Sequence, residues 1–160
     1  MPLVRRVNEA AFGRSQEAQV VDALREHGKV IASFVAELDG EVIGHVLFSP
    51  LTIASPDATF RAAALGPVSV SPAHQDKGIG AALVRHGLQA CLNLEQRSVF
   101  LLGAPAYYAR FGFLAARIYG INYEGSRSDA FQVVELSEGA LDGVTGTASY
   151  EPEFDLAKPS

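Results

Sequence analysis

The chain has 160 residues, of which 48% are hydrophobic and 19% charged, a size and balance typical of one folded domain with an apolar core. Its formal net charge of −5 argues against nonspecific nucleic-acid binding, which needs a basic surface. No apolar run reaches the length of a membrane span, and the N-terminus lacks the basic and apolar regions of a signal peptide. We therefore expect a single cytoplasmic domain, residues 1–160, with residues 151–160 frayed and with no nucleic-acid or membrane partner.

The first third of the chain predicts a short strand, a helical region and a hairpin. Leu3–Val7 is a strand candidate, and Asn8–His27 carries apolar residues at loosely helical spacing. Two apolar runs, residues 30–38 and 42–53, flank Asp39-Gly40, a dipeptide typical of two-residue hairpin turns. These two runs are therefore expected to pair as antiparallel strands.

The rest of the chain predicts a strand, a long helix and several short elements. Residues 59–70 form the strand candidate, and apolar residues recur at steps of four or five from Ile79 to Leu92, which is typical of a helix. Further expected elements are a strand at Ser98–Leu102, a short helix at Pro105–Phe111 closed by Gly112, a strand at Phe131–Leu136 and a strand candidate at residues 143–150.

A glycine-punctuated turn stands between this strand and this helix, with the sequence Gln75-Asp76-Lys77-Gly78-Ile79-Gly80-Ala81. A helix start offers N–H groups without intrahelical acceptors and a positive dipole end, and both attract phosphate. Glycine also lets the backbone approach a bulky anion closely. The dinucleotide fingerprint is excluded because it needs glycine where Leu83 stands, and the P-loop because it needs Ser or Thr where Ile79 stands. The turn predicts a phosphate site, with simple turn geometry as the alternative.

Two motifs resemble those of the GNAT superfamily of acetyl-CoA-dependent N-acetyltransferases. Gln75-x-x-Gly78-x-Gly80 resembles the family's Q/R-x-x-G-x-G/A signature, and Tyr108-Ala109-Arg110-Phe111-Gly112-Phe113 is similar to its Y-x-x-x-G-F element. The order of elements from the hairpin onward matches as well. More narrowly, three stretches resemble predicted acetyltransferases of the YhbS type, namely Val42-Ile43-Gly44-His45, Leu65-Gly66-Pro67 and Pro105 to Phe113.

The resemblance implies an α/β (α+β) fold with flanking helices. Its mixed, mostly antiparallel central sheet would splay between the fourth and fifth strands, the fourth being Leu65 to Val70. Backbone groups of this strand would bind the pantetheine arm of acetyl-CoA, and N–H groups of the turn would hold its pyrophosphate. The cofactor-binding residues implied in this way are Val68, Ser69, Val70, Gln75, Asp76, Lys77, Gly78, Ile79, Gly80, Ala81 and Tyr108.

Tyr108 corresponds to the family's usual general acid, a phenol near the thioester sulfur. Since a thiol has a pKa of about 8.5 and a phenol of about 10, the departing thiolate needs only a share of the phenolic proton. The alternative is an aromatic packing residue of a short helix, which is the interpretation we give to Tyr107.

The general base is harder to assign. Many relatives place a carboxylate on the fourth strand and an asparagine seven residues before the tyrosine, but residues 65–70 contain no carboxylate and Leu101 replaces the asparagine. His45 is the best remaining candidate, with a water-relayed base as the alternative. The other histidines show no metal-ligand spacing, so no metal is expected.

The expected function is transfer of an acetyl group from acetyl-CoA to an amine of a small molecule, peptide or protein, by direct attack in a ternary complex. The alternatives are a CoA-binding sensor without catalysis and an acyltransferase that uses an acyl carrier protein. The late strands could pair across a homodimer, an arrangement frequent in the family.

Overall fold

A computed structural model describes residues 2–124 and 128–157 of the chain. The helices in this part are α1 Pro2–Phe12, α2 Gln16–Glu26, α3 Ile79–Asn93 and α4 Pro105–Tyr108, and the strands are β1 Ala32–Leu38, β2 Glu41–Ala54, β3 Thr59–Val70, β4 Ser98–Leu102, β5 Leu114–Ala115, β6 Ile121–Tyr123, β7 Phe131–Glu135 and β8 Gly146–Tyr150. Short 3-10 helices occur at Pro72–His74, Ala109–Phe111, Ala116–Tyr119 and Pro152–Ala157.

The strands form a mixed sheet in the order β5-β7-β4-β3-β2-β8-β6, and β1 pairs with β2. The pairs β1–β2, β2–β8, β4–β7 and β5–β7 are antiparallel, whereas β3–β4 and β6–β8 are parallel. The predicted mixed and mostly antiparallel sheet with flanking helices is therefore confirmed. β3 and β4 are the strands that the resemblance counts as fourth and fifth, and their parallel register joins Ala63 to Val99 and Ala64 to Phe100.

The hairpin predicted at Asp39-Gly40 is confirmed. Asp39 has a φ of 51° and Gly40 a φ of 79°, so both central residues are left-handed, as a tight turn between twisted antiparallel strands requires. The predicted α3, β4 and β7 also form, within one or two residues of their expected ends.

The strand predicted at Leu3–Val7 was wrong, because these residues lie in α1. The two valines of this segment are buried together with Asn8, and spacings of three and four residues mark one face of a helix. A window of five residues is too short to separate this period from that of a strand. The predicted helical region is also divided in two, at Gly13 with a φ of 67°.

The chain divides into two compact units. The first unit comprises the described parts of residues 1–49, 65–90 and 152–160. One face each of α1 and α2 contributes to an apolar cluster in this unit, because both helices carry apolar residues at helical spacing. Its buried members are Val4, Val20, Val21, Leu24 and Leu47, with Phe154 packed against them.

The C-terminal segment belongs to this first unit. Pro152–Ala157 forms a 3-10 helix, and Glu153 is only 7% exposed. His27 Nδ1 lies 2.5 Å from Glu153 Oε2, and Lys29 Nζ donates to Glu153 Oε1 at 3.0 Å. In the structure, residues 152–157 contact this unit through the Lys29–Glu153 ion pair and the packing of Phe154 on the apolar cluster. The expected fraying of residues 151–160 stays a prediction, and residues 158–160 lie outside the described chain.

The second unit comprises the described parts of residues 50–64 and 91–151, and its core is apolar. Phe131 stacks on Phe100 at 5.5 Å and on Tyr123 at 5.4 Å between ring centroids. Burial of this much aromatic and aliphatic surface is the main source of the unit's stability. The core residues are Leu51, Ile53, Ala62, Ala64, Phe100, Ala116, Ile121, Phe131, Val133, Leu141 and Ala148.

Candidate functional site

Hydrogen bonds to β2 and to the end of β3 hold the turn that leads into α3. The Ser71 amide donates to the Ile43 carbonyl at 2.7 Å, and a 3-10 turn follows. The Gln75 side chain then reaches back, its Nε2 donating to the Val70 carbonyl at 3.0 Å. These bonds fix where the turn begins relative to the strand.

The turn itself is exposed and partly left-handed. Asp76 has a φ of 63° and Gly78 a φ of 81°, and a Cβ placed on Gly78 would find no atom within 4 Å. The Gly78 carbonyl accepts from the Ala82 amide at 3.0 Å, so the helix begins directly after this glycine. The N–H groups of Ile79 to Ala81 are therefore the first of the helix and lack intrahelical acceptors. An open turn at such a helix start suits an anion.

The remaining predicted binding residues of the first unit alternate along β3. Val68 and Val70 are half-buried, whereas Ser69 is 2% exposed, as expected for successive side chains of a strand. Lys77 is exposed on the turn. The structure thus places every predicted binding residue except Tyr108 in one continuous strand–turn–helix segment of the first unit.

Tyr108 lies in the second unit, at the end of α4. Its ring is half-buried among aromatic neighbours, with centroids of Tyr107 at 4.9 Å, Phe113 at 5.9 Å and Phe111 at 6.0 Å. Burial, and then the neighbouring Tyr107, raises the pKa of the Tyr108 phenol. The phenol therefore keeps its proton at neutral pH, as a general acid must.

His45 is fully buried on β2 in the first unit. Asn8 Nδ2 lies 3.1 Å from His45 Nδ1, and Ser33 Oγ lies 2.9 Å from Nε2. Asn8 Nδ2 also donates to the Val4 carbonyl, which identifies this atom as the amide nitrogen. Nδ1 is therefore the acceptor, and the network assigns the proton to Nε2, which donates to Ser33.

The same surroundings make His45 a weak base. Burial, and then the charge of Arg25, lowers the pKa of His45 to about 4. Arg25 Nη2 donates to Ser33 Oγ at 2.8 Å and lies 3.5 Å from His45 Nε2, so the guanidinium lies directly beside the imidazole. The imidazole is neutral at pH 7, and both of its nitrogens are engaged in structural hydrogen bonds.

Sequence reasoning did not identify the partners of His45. Asn8, Arg25 and Ser33 come from α1, α2 and β1, and nothing in their local sequence marks them as neighbours. Sequence reasoning also did not identify the contact between Gly103 and Gln132 in the second unit. There the Gln132 side chain donates to the Gly103 carbonyl at 3.1 Å.

Two further properties concern metals and membranes. Among residues 2–124 and 128–157, no cluster of three or more His, Cys, Asp or Glu side chains could hold a metal ion. Over the same ranges, the helices are too short or too polar to cross a bilayer.

Residues 1–116 match the family model described as an acetyltransferase (GNAT) domain. The chain is 36% identical over 148 residues to the uncharacterised N-acetyltransferase YhbS of Escherichia coli K12, with 91% of this chain and 87% of the relative covered. It is 34% identical over 112 residues to the uncharacterised N-acetyltransferase YjhQ of the same strain, with 69% and 62% covered.

Solved structures agree with these matches. The crystal structure of Escherichia coli YhbS in complex with CoA superposes with a TM-score of 0.88 at 33% identity, covering 96% of this chain and 86% of that one. A GNAT family acetyltransferase from Brucella melitensis in complex with acetyl-CoA gives a TM-score of 0.79 at 37% identity, with 96% and 91% covered. Given this agreement of sequence and fold over almost the whole chain, the protein belongs to the GNAT acetyltransferase family.

Proposed function

We propose that the protein transfers an acetyl group from acetyl-CoA to an amine by direct attack in a ternary complex. The observation that carries this proposal is the open helix start after Gly78, because it offers backbone donors for a diphosphate in a chain of this family. The crystallised relatives from Escherichia coli and Brucella melitensis hold CoA and acetyl-CoA, which supports the same ligand here.

In the proposed complex, backbone groups bind most of the coenzyme. The N–H groups of the turn from Gln75 to Ala81 hold the pyrophosphate, and the backbone of Val68, Ser69 and Val70 pairs with the pantetheine amides. The absence of any atom within 4 Å of a Cβ on Gly78 fits this assignment, because a bulky anion needs that space.

In the transfer step the amine nitrogen forms a bond to the thioester carbonyl carbon, and the carbon–sulfur bond breaks. The electron pair of that bond goes to sulfur, and we assign to Tyr108 the delivery of a proton there. The raised pKa of the phenol keeps this proton in place until the thiolate forms.

The attacking amine must also lose a proton. An alkyl amine with a pKa of about 10.4 is only about four parts in ten thousand neutral at pH 7. The imidazole of His45 is neutral but tied to Asn8 and Ser33, so we favour a water relay and keep His45 as the alternative. If His45 were the base, the acidic limb of the pH–rate profile would fall near pH 4, and His45→Gln would remove that limb.

The test is release of free thiol from acetyl-CoA in the presence of a broad panel of amines and peptides. An N-acetyltransferase releases one thiol for each amine acetylated. A CoA sensor would instead be stabilised by CoA against heat without any turnover, and a carrier-dependent acyltransferase would bind the holo form of an acyl carrier protein and not its apo form. Either of the last two results would overturn the proposal. The cytoplasmic location and the homodimer stay predictions.

A further inference from the structure

Gly103 directly follows β4, and the space beside its Cα is too small for a side chain. Its backbone does not adopt the left-handed conformation that favours glycine, but an ideal Cβ there would lie 2.5 Å from Cε2 and 3.0 Å from Cδ2 of Tyr108. Carbon atoms in contact prefer about 3.5–4.0 Å. The ring of Tyr108 therefore lies directly against the Cα of Gly103, in a space that any side chain would fill.

The Gly103 peptide is itself held by hydrogen bonds. Its amide donates to the Ala130 carbonyl at 2.9 Å. Its carbonyl accepts from Gln132 Nε2 at 3.1 Å, and the same nitrogen is 3.3 Å from the Ala130 carbonyl. Gln132 lies on β7, opposite Leu101 of β4, and is 1% exposed. The buried Gln132 amide thereby fixes the Gly103 carbonyl, because leaving a buried donor without a partner is costly.

Three aromatic rings border the ring of Tyr108. Tyr107 and Phe113 meet it edge to face, and Phe111 lies against it at a tilt. Phe113 is buried and belongs to the turn that follows Gly112. A group added on the Gly103 side would therefore displace the phenol ring, because the new carbon would lie closer to that ring than carbon contacts allow.

We propose that Gln132 and Gly103 are positioning residues for Tyr108, with Gln132 fixing the Gly103 peptide and the bare Cα of Gly103 fixing the ring of Tyr108. This inference rests on the proposed role of Tyr108 as the general acid. Proton transfer needs the donor within about 2.6–3.2 Å of its target, and misplacement by about 1 Å can cost on the order of 10²-fold in rate. The two residues thus act on kcat through Tyr108 without touching substrate.

The first test is Gly103→Ala, assayed for thiol release from acetyl-CoA. We expect kcat to fall roughly 10- to 100-fold while KM for acetyl-CoA stays within about twofold. Gln132→Met, which keeps the length of the side chain but removes the donor, should lower kcat in the same direction. It also serves as the second variant if Gly103→Ala does not fold.

The matched control is Val133→Ala, on the same strand as Gln132. Val133 is a core residue at 1% exposure, so its truncation should lower Tm without changing kcat at a temperature where the variant is folded. If Val133→Ala lowers kcat as much as Gly103→Ala does, general loss of structure explains both and the inference is overturned.

A double-mutant cycle with Tyr108→Phe separates this inference from the proposed function. If Tyr108 is the acid, Gly103→Ala should add little to the loss already caused by Tyr108→Phe. An unchanged rate in Tyr108→Phe alone would overturn the acid role. A full loss in Tyr108→Phe combined with wild-type kcat in Gly103→Ala, or with additive losses, would overturn only the positioning role.

A titration of the Tyr108 phenol, followed by NMR with labelled tyrosine, needs no activity. In the wild type the phenol should titrate above its ordinary value because it is half-buried, and Gly103→Ala and Gln132→Met should each move the titration back towards about 10. An identical titration in all three proteins would show that the ring has not moved and would overturn the positioning role.

Discussion

The two units present their candidate functional groups in opposite ways. In the first unit the candidate site consists of backbone N–H groups in an exposed turn. The left-handed conformation of Gly78 is what this site requires, and the identity of the neighbouring side chains matters less. In the second unit it is one side chain, Tyr108, held in place by a crowded glycine and three aromatic rings. On the proposed roles, we expect coenzyme binding to respond to changes of backbone conformation in the turn, and the transfer step to respond to changes of the Tyr108 side chain.

Tyr108→Phe should give the largest effect, and it tests the proposed role of the Tyr108 side chain in the transfer step. Removal of the phenolic hydroxyl keeps the ring and its packing, so we expect turnover to fall by roughly 10- to 100-fold with CoA affinity nearly unchanged. Steady-state kinetics and calorimetry with CoA measure the two quantities.

Tyr107→Phe is the matched control, because it removes the adjacent hydroxyl but retains the ring that packs against Tyr108 and under the Arg110 guanidinium. Its turnover should equal that of the wild type. Equal losses in both variants would mean that the hydroxyl of Tyr108 has no special role.

Gly78→Val tests the proposed role of the turn backbone in binding CoA. A β-branched residue is strained at a φ of 81° and fills the space proposed for the diphosphate, so CoA affinity should fall by about 2 kcal/mol, or roughly 30-fold. Calorimetric titration with CoA gives the dissociation constant directly.

The control is Gly40→Val, at a hairpin glycine with a φ of 79° and also no atom within 4 Å of its Cβ. Both variants carry the same backbone strain, but only Gly78 belongs to the proposed binding turn. Wild-type CoA affinity in Gly78→Val, or equal losses in the two variants, would return the turn at residues 75–81 to a purely structural role.

The stability of the protein should depend on pH through the first unit, because the buried His45 and its hydrogen-bond partners lie there. His45 has a pKa of about 4 when folded and about 6.5 when unfolded, so the unfolded chain binds the proton more readily. Its contribution is complete above about pH 6.5 and is lost as the pH falls towards 4. Between pH 7 and 5 the loss amounts to about 2 kcal/mol.

Denaturant unfolding at several pH values measures this loss, and His45→Gln should flatten the slope between pH 7 and 5. The variant should be less stable at pH 7 because it cannot reproduce both hydrogen bonds, so the slope and not the absolute stability is the readout. Parallel slopes in the two proteins would contradict the assignment.

A smaller effect is expected from the contacts of Glu153 in the C-terminal 3-10 helix of the first unit. Desolvation alone would raise the Glu153 pKa, but hydrogen bonds from His27 and Lys29 outweigh it and lower the pKa to about 2. The stabilisation is therefore present above about pH 4.5 and is lost as the pH falls towards 2. Glu153→Gln should cost about 1 kcal/mol at pH 7, measured by urea unfolding, and an unchanged midpoint would contradict this.

Local patterns predicted the elements whose signals are complete within a few residues. The hairpin turn, the long α3 and the buried β4 each carry their own period or turn chemistry. The strand–turn–helix around Gly78 was recognisable from the apolar strand before the glycines and the helical period after them. The strand predicted at Leu3–Val7 was wrong because five residues are too few to separate the period of a helix from that of a strand. The orientation of β7 against β4 could not come from either strand alone, because pairing partners are set by tertiary packing.

The supporting residues of the candidate site could not be predicted, because they are distant in sequence. Asn8 and His45 are separated by 37 residues, and Gly103 and Gln132 by 29. No local period links such partners, and a buried polar side chain is recognisable only once the packing that buries it is known.

The only cysteine of the sequence, Cys91, is completely buried in the second unit, and burial raises its thiol pKa to about 12. A thiol in this state exposes almost no thiolate to reagents at neutral pH. The native chain therefore should not react with thiol-directed dyes, and it adds no background signal when such a reagent detects the released CoA. A single cysteine placed on the exposed turn at Asp39-Gly40 would then carry a fluorophore at one defined position.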